Sequence, residues 1–192
     1  MKRVVRLYLW FVVFAAGTPA SAQAAECADL WSWLNTACRH VVDTYTKGNT
    51  GILVSGFAWH TPWTWTAEKR AEENQNAWGG GLARYVEHPD GDTETVYGLI
   101  FSDSHSKPQY NLGYAWNTYW GERSGIQGGL GYTAMLVARN DIANGFPFPA
   151  VLPLVSVRYS SVTVYTTYIP SLGGVNHGSV LYIFGMIGLD KP

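Results

Sequence analysis

The chain has 192 residues, a length that suits one domain with at most a small appendage. Charged residues make up 14% and hydrophobic residues 47%, whereas soluble globular domains carry about 25% charged residues. The net charge is -1, with 13 Lys and Arg against 14 Asp and Glu, and no basic block occurs, which excludes a nucleic-acid-binding protein. The 9 Trp, 12 Tyr, 7 Phe and 21 Gly favour a β protein that meets lipid or another apolar phase.

Residues 1–24 are typical of a secretory signal peptide. Lys2, Arg3 and Arg6 precede an apolar run, and Ala22-Gln23-Ala24 supplies a small-residue cleavage motif. The apolar run is shorter than the roughly 20 residues that a membrane-spanning helix needs. We therefore expect an exported protein.

Residues 25–47 are predicted to form an amphipathic helix. Trp31 and Trp33 near its start suit a helix on a membrane surface, and packing against the rest of the domain explains the apolar stripe equally well. On one straight helix Cys27 and Cys38 would stand about 16 Å apart, too far for a disulfide. They bridge only if Cys27 lies in a turn folded back along the helix.

The region 48–192 is predicted to be all-β, because apolar residues alternate with small or polar ones between turn signals. In the fourth strand Leu112 and Trp116 share one face, and Gly113 and Ala115 share the other. Large residues outside and small ones inside favour an eight-stranded antiparallel up-and-down barrel in a membrane. The predicted strands cover residues 51–60, 78–86, 95–103, 111–120, 128–138, 151–159, 161–169 and 179–189.

The connections after odd-numbered strands are the longer ones on the whole, as expected for the outer loops of such a barrel. This topology places His60, Asp103 and Ser104 on one rim. A His can act there as base, a Ser as nucleophile or binder, and an Asp as orienter of the His. The alternative is that these three residues are ordinary polar residues of surface loops, since no G-x-S-x-G elbow is present.

The other histidines indicate no second site. His40, His88 and His177 are interpreted as solvated surface residues, and His105 follows Ser104 at the same rim. No His pair has the spacing of a metal motif and the cysteines are not C-x-x-C, so we expect no metal.

Several short motifs resemble the PagP family of lipid A palmitoyltransferases, in the family's order and over nearly all of the mature chain. They are Ala58-Trp59-His60, Trp78-Gly79-Gly80-Gly81, Phe101-Ser102-Asp103-Ser104, Gly113-Tyr114-Ala115-Trp116, Leu130-Gly131-Tyr132-Thr133-Ala134, Ala138-Arg139-Asn140-Asp141, Val151-Leu152-Pro153-Leu154-Val155-Ser156-Val157 and Thr167-Tyr168-Ile169-Pro170.

The resemblance implies an integral outer-membrane barrel with a periplasmic helix. It implies transfer of a palmitoyl or similar long acyl chain from the sn-1 position of a glycerophospholipid donor to a lipid A acceptor, by a monomer surrounded by outer-membrane lipids. The family's functional residues match His60, Asp103 and Ser104. No cofactor is expected, because the donor already carries an ester. Arg84 and Arg139 match family arginines.

The chain departs from the family pattern at positions that bear on lipid access and on acyl-chain length. Ser55 and Ala77 stand where prolines interrupt strand pairing, whereas Pro153 and Pro170 are kept as a lipid gate at the other seam. Ala115 stands where the family has a Gly at the floor of the acyl pocket. We therefore expect Ala115 to influence acyl-chain length.

Two other functions compete with the transferase interpretation. One is an outer-membrane hydrolase that removes an acyl chain from lipid A or a phospholipid. The other is a non-enzymatic structural barrel or adhesin. A hydrolase yields free fatty acid, whereas a transferase yields a heavier lipid A and a lysophospholipid, so lipid mass distinguishes them.

Overall fold

The computed structural model describes Cys27, residues 31–171 and residues 178–190; the predicted signal peptide and His177 lie outside these residues. The described chain forms a closed antiparallel barrel in which each strand pairs with the next and the eighth pairs with the first. The strands are β1 (Asn49–His60), β2 (Asn76–Glu87), β3 (Thr93–Ser102), β4 (Pro108–Trp120), β5 (Ile126–Ala138), β6 (Phe148–Tyr159), β7 (Val162–Ile169) and β8 (Val180–Gly188).

The predicted eight-stranded barrel is confirmed; β1 to β6 begin two or three residues earlier than predicted, and β7 and β8 are slightly shorter than predicted. Within the described residues two helices accompany it: α1 (Ser32–Lys47) before the barrel and α2 (Ala67–Glu72) in the β1–β2 connection. A short 3-10 turn, Ala143–Gly145, lies between β5 and β6. No helix among the described residues is both long and apolar enough to cross a membrane.

Helix α1 begins later than predicted, and Cys27 lies in a turn before it. Cys27 is disulfide-bonded to Cys38, with their Cα atoms 5.8 Å apart. The side-chain amide of Asn35 also donates a hydrogen bond to the Cys27 carbonyl. Cys27 therefore lies in a turn before the helix, as the sequence requires for a disulfide with Cys38.

Helix α1 is fastened to the barrel by a buried carboxylate. Glu94 at the start of β3 is 5% exposed, and one of its oxygens accepts hydrogen bonds from His40 at 2.9 Å and His88 at 3.0 Å. Thr44 donates to the other oxygen at 3.1 Å. His40 and His88 keep 51% and 39% of their side chains exposed, so they are surface residues that also bond the buried Glu94.

Apolar side chains cover the outside of the barrel, as the alternation predicts: Leu112 is 46% and Trp120 59% exposed. The inside, however, is not kept small. Tyr97, Tyr165 and Tyr182 are each less than a tenth exposed and fill it. The small inward residues lie across from these rings, as Gly113 lies across from Tyr97. The sequence could not show this, because it does not reveal which side chain lies opposite a glycine.

The barrel interior is closed at the end that carries α1. Arg158 bonds Gln127 at 3.0 Å, Glu87 at 3.0 Å and Thr93 at 3.1 Å, and it lies 4.0 Å from the centre of the Tyr119 ring. This polar plug leaves the opposite end, the outer rim, where β1, β3, β5 and β7 end. A site inside the barrel therefore opens at the outer rim.

Candidate active site

A histidine and a serine from neighbouring rim segments are in direct contact. His60 is the last residue of β1 and is fully buried, and its Nε2 lies 2.9 Å from Oγ of Ser104 in the β3–β4 connection. The His60 ring meets Trp65 edge-on, with the ring centres 5.0 Å apart. A base and a hydroxyl at hydrogen-bond distance are the pair that acyl transfer requires.

The third predicted member, Asp103, shapes the loop that carries Ser104. One of its carboxylate oxygens accepts hydrogen bonds from the backbone N–H groups of His105 at 2.9 Å and Lys107 at 2.8 Å. Ser106 in the same turn has a left-handed backbone, with φ 59°. An Asp side chain that binds backbone groups two residues on stabilises such a turn.

This geometry bears on the orienting role predicted for Asp103. Among the described residues, Nδ1 of His60 is buried without a hydrogen-bond partner. The orientation of the His60 ring follows from its contacts with Ser104 and Trp65. Asp103 is on the predicted rim and 4% exposed, but its hydrogen bonds go to its own loop.

Trp65 itself is held by a network that the sequence did not indicate. Its indole N–H donates to the Ser179 carbonyl at 3.0 Å, and the Ser179 hydroxyl bonds Thr61 at 2.6 Å and Thr64 at 2.9 Å. A Cβ on Gly178 would lie 2.3 Å from the Trp65 ring nitrogen. A side chain at position 178 would therefore displace the ring that packs on His60.

Arg139 joins the rim connections electrostatically. It binds Asp141 with two contacts of 3.0 and 2.7 Å and lies 3.7 Å from Asp103. Partial burial acts to raise the pKa of the Asp141 carboxyl, but the hydrogen bonds and the charge of Arg139 outweigh it and hold that pKa below its usual value. His105 completes the network, with Nδ1 3.3 Å from Asp141.

Three of these side chains come close enough together to be considered as metal ligands. Asp103, His105 and Asp141 place one ligand atom each within 4.8 Å of one another. However, Arg139 already pairs with both carboxylates, and a guanidinium in that position opposes a second cation. The arrangement is that of an ion-pair network.

A chamber of about 410 Å³ opens at this rim and reaches into the barrel. Its polar end is formed by Asp103, Ser104 and Arg139. Its inner walls carry apolar and aromatic side chains, which include Phe101, Met135, Leu152 and Tyr182. The chamber can therefore take an apolar chain whose polar end lies beside the His60–Ser104 pair.

Ala115, the predicted pocket floor, does not line this chamber. It is 5% exposed and lines a separate cavity of about 10 Å³ deeper in the barrel, together with Tyr97, Tyr165 and Phe184. The side chain thus points into the barrel as predicted. Its effect on acyl-chain length stays a prediction.

The two predicted lipid-access seams differ. Pairing of β6 with β7 ends at Leu154 and Thr167, so no backbone pairing joins Pro153 to β7; Thr167 bonds the Pro153 carbonyl through its hydroxyl at 2.8 Å. Pro170 follows the end of β7 directly. Among the described residues, β6 and β7 share no backbone pairs on the outer-rim side of this point.

The β1–β2 seam stays joined, with a bulge between Ser55 and Phe57. The Ser55 hydroxyl donates to the Ala77 carbonyl on β2. A side-chain hydrogen bond thus links the strands at the positions where the resemblance leads one to expect prolines. Of the two seams, the β6–β7 seam is the open one.

The fold and the rim geometry define a class: a β-barrel with an acyl-chain-sized chamber beneath a hydrogen-bonded base and hydroxyl. Residues 40–186 match the family described as "Antimicrobial peptide resistance and lipid A acylation protein PagP". The chain is 38% identical to a Lipid A acyltransferase PagP of Bordetella parapertussis, over 96% of this chain and 98% of the relative. It is 34% identical to one of Legionella pneumophila, over 98% and 100%.

The chain therefore belongs to the PagP family and is an acyltransferase. Family and fold are consistent with an outer-membrane protein.

Proposed function

We propose that this protein transfers a palmitoyl or similar long acyl chain from the sn-1 position of a glycerophospholipid to lipid A, as an integral monomer of the bacterial outer membrane. The observation that carries the proposal is the placement of the chamber: it ends at Ser104, whose hydroxyl bonds His60. An acyl chain that fills the chamber brings its ester to these two groups.

In the proposed reaction His60 acts as a general base through Nε2. It accepts the proton of an attacking hydroxyl, a new ester C–O bond forms at the acyl carbon, and the old C–O bond to the glycerol breaks. The proton then passes from His60 to the departing glycerol oxygen, which leaves as a lysophospholipid. Positioned base catalysis of this type contributes roughly 10²- to 10⁴-fold to a rate.

Two groups can supply the attacking hydroxyl. Ser104 already bonds Nε2, which suits a nucleophile that is acylated first and then passes the chain to lipid A. In a direct transfer the lipid A hydroxyl attacks, and Ser104 orients the base. Intact-protein mass after incubation with the donor alone distinguishes them, because only the first route yields an acylated Ser104.

The β6–β7 seam supplies lateral access for the donor in this proposal. Pro153 and Pro170 flank the part of the seam that lacks strand pairing, and its apolar surroundings match an acyl chain in a bilayer. We assign donor access to this seam and not to the bridged β1–β2 seam.

The test uses the full-length protein purified in detergent, with lipid A and a phospholipid labelled separately in its sn-1 and sn-2 chains. We expect heavier lipid A and a lysophospholipid that has lost its sn-1 chain and keeps its sn-2 chain. Most of the activity should be lost in His60→Ala and kept in His88→Ala. Release of free fatty acid without heavier lipid A would favour a hydrolase, and no lipid turnover would favour a structural barrel.

A further inference from the structure

The histidine of the site has a hydrogen-bond partner at only one of its ring nitrogens. Nε2 of His60 lies 2.9 Å from Oγ of Ser104. A base that accepts a proton at Nε2 carries the proton of its neutral form on Nδ1. Within the described part of the chain, Nδ1 of His60 is buried and has no hydrogen-bond partner.

In most pairs of base and nucleophile, a third group orients the base through its other nitrogen. Asp103 does not do so here, because its hydrogen bonds go to the backbone of its own loop. The last side-chain torsion of a histidine is broad, so a ring without that second hydrogen bond can turn its Nε2 away from the serine unless packing prevents it. The orientation of His60 must therefore come from the side chains packed against it.

Trp65 is the aromatic side chain that packs on His60. Its ring meets the imidazole at 90°, with the ring centres 5.0 Å apart. His60 is fully buried and Trp65 is 7% exposed, so the contact is shielded from water. A closely packed ring resists the rotation of its neighbour into the volume that it fills. Trp65 therefore keeps Nε2 of His60 directed at Ser104.

The position of Trp65 is set from across the β1–β8 seam. Its indole N–H donates to the carbonyl of Ser179, the residue directly before β8, at 3.0 Å. The Ser179 hydroxyl bonds Thr61 at 2.6 Å and Thr64 at 2.9 Å, and both threonines lie in the turn that leads from His60 to Trp65. The residue before β8 thus holds both the turn and the ring.

Gly178 completes this clamp on Trp65. A Cβ at this position would overlap Nε1 of the indole and lie 2.6 Å from its Cδ1. The backbone of Gly178 is outside the left-handed region, so the Trp65 ring, and not backbone strain, opposes an alanine there. Trp65 lines the chamber, but neither Gly178 nor Ser179 is among the described residues that line it. Substitutions at these two positions therefore reach the ring without changing the chamber walls directly.

We propose that Trp65 is a positioning residue of the acyl transfer: clamped by Gly178 and Ser179, it holds the His60 imidazole in the orientation in which Nε2 accepts a proton. The proposal rests on the acyl transfer proposed above. Packing by Trp65 takes the role that a hydrogen-bonded carboxylate has in a Ser-His-Asp triad. The base is consequently in place only when the start of β8 is joined to the end of β1.

The test measures kcat and KM for lipid A acylation by the full-length protein in detergent. Gly178→Ala should lower kcat roughly 10²-fold, the cost of misplacing a catalytic group by about 1 Å, and should leave KM for the donor unchanged. Ser179→Ala loses the bonds to Thr61 and Thr64 and should lower kcat by a smaller factor. Gly128→Ala is the matched control with wild-type kcat, because a Cβ there meets no atom within 4 Å. A raised KM at unchanged kcat in Gly178→Ala would overturn the proposal.

A double-mutant cycle shows whether position 178 acts through the ring. Trp65→Leu removes the ring and should itself lower kcat. In that background Gly178→Ala should have no further effect, because the atoms that it displaces are gone. If Gly178→Ala lowers kcat by the same factor with and without Trp65, it acts on something else and the proposal is wrong.

Nitrogen NMR of protein labelled in its histidines gives a readout that needs no catalysis. The His60 signal, assigned by its absence in His60→Gln, should show one neutral tautomer with the proton on Nδ1. Gly178→Ala should mix the two tautomers in a folded barrel, because a ring released from Ser104 can carry its proton on either nitrogen. A single unchanged tautomer in this variant would contradict the proposal.

The same signal separates this proposal from the proposed function. If the wild-type protein forms no heavier lipid A, the transferase proposal fails while the His60 signal still tests the clamp. If Gly178→Ala does not fold, Ser179→Ala carries both measurements, and a wild-type kcat with a wild-type His60 signal in that variant would refute the clamp.

Discussion

An Asp103→Asn substitution distinguishes two roles for this carboxylate. The side chain binds the backbone N–H groups of His105 and Lys107 through a single oxygen, and an Asn carbonyl oxygen can accept both bonds. What is lost is the charge, which matters for those bonds and for Arg139 at 3.7 Å. If Asp103 mainly holds the loop that presents Ser104, the substitution should be mild.

The magnitudes separate the roles clearly. A hydrogen bond to a charged group contributes about 1 kcal/mol more than a neutral one, so loss of the charge at these two bonds should lower the transfer rate by no more than roughly 30-fold. Asp103→Ala removes both bonds, and the resulting misplacement of Ser104 should cost roughly 10²-fold or more. In a Ser-His-Asp triad, Asp→Asn at the orienting position costs roughly 10⁴-fold.

The assay is the initial rate of lipid A acylation by purified Asp103→Asn and Asp103→Ala, with His60→Gln as the reference for loss of the base. Heat-resistant migration on gels verifies that each barrel is folded. If Asp103→Asn is as inactive as His60→Gln in a folded barrel, Asp103 acts on His60 when substrate is bound, and the loop-shaping argument is wrong.

Three other predictions concern the helix, the seam and the ion pair. Deleting α1 should leave an active barrel that melts earlier, because buried Glu94 loses two partners; complete loss of the β circular-dichroism signal would contradict this. Pro153→Val restores a backbone donor facing β7 and should slow transfer, whereas Pro108→Ala should not; equal rates would refute lateral access at this seam. Because the pKa of Asp141 is lowered, its ion pair with Arg139 stabilises the rim at pH values above the usual pKa range of a carboxyl group. That stabilisation is lost as the pH falls through the lowered pKa. Melting of Arg139→Ala should thus fall below wild type at neutral pH and match it in strong acid; a pH-independent difference would contradict the ion pair.

The strands were predictable because each one faces lipid on one side and a packed interior on the other. The resulting alternation appears within a single strand, as in Leu112, Gly113 and Ala115. Strand ends were less accurate, because they depend on pairing with a neighbour. Helix α1 illustrates the same limit: its start depends on the turn at Cys27 and the bond to Cys38.

The barrel interior was not predictable in the same way. Gly113 indicates a small inward residue, but only the register of β3 against β4 shows that Tyr97 fills that space. An inward glycine therefore predicts a close approach of something else, and not an open lumen. The same holds for Gly129, where a Cβ would lie 2.6 Å from the Tyr119 ring.

The rim residues followed from loop alternation, but their contacts did not. The polar run after β3, from Asp103 to Ser106, carries a signal for an Asp-stabilised turn, and this signal predicts the loop-shaping role of Asp103. No comparable signal exists for Trp65 and Ser179, which are 114 residues apart in sequence and meet only in the closed barrel.

The position of the open β6–β7 seam is explained by the cost of exposing an acyl chain to water and by the cost of leaving backbone groups unpaired in lipid. A long acyl chain that reached the chamber through the aqueous rim would leave lipid for water first, at a cost of about 0.8 kcal/mol per exposed methylene. Entering sideways between β6 and β7 keeps the chain in apolar surroundings throughout. Such an opening in a barrel wall removes backbone pairing, which lipid cannot replace. At this seam Pro153 has no N–H to leave unpaired, and the Thr167 hydroxyl satisfies the Pro153 carbonyl. The seam is therefore open where its backbone groups need pairing least.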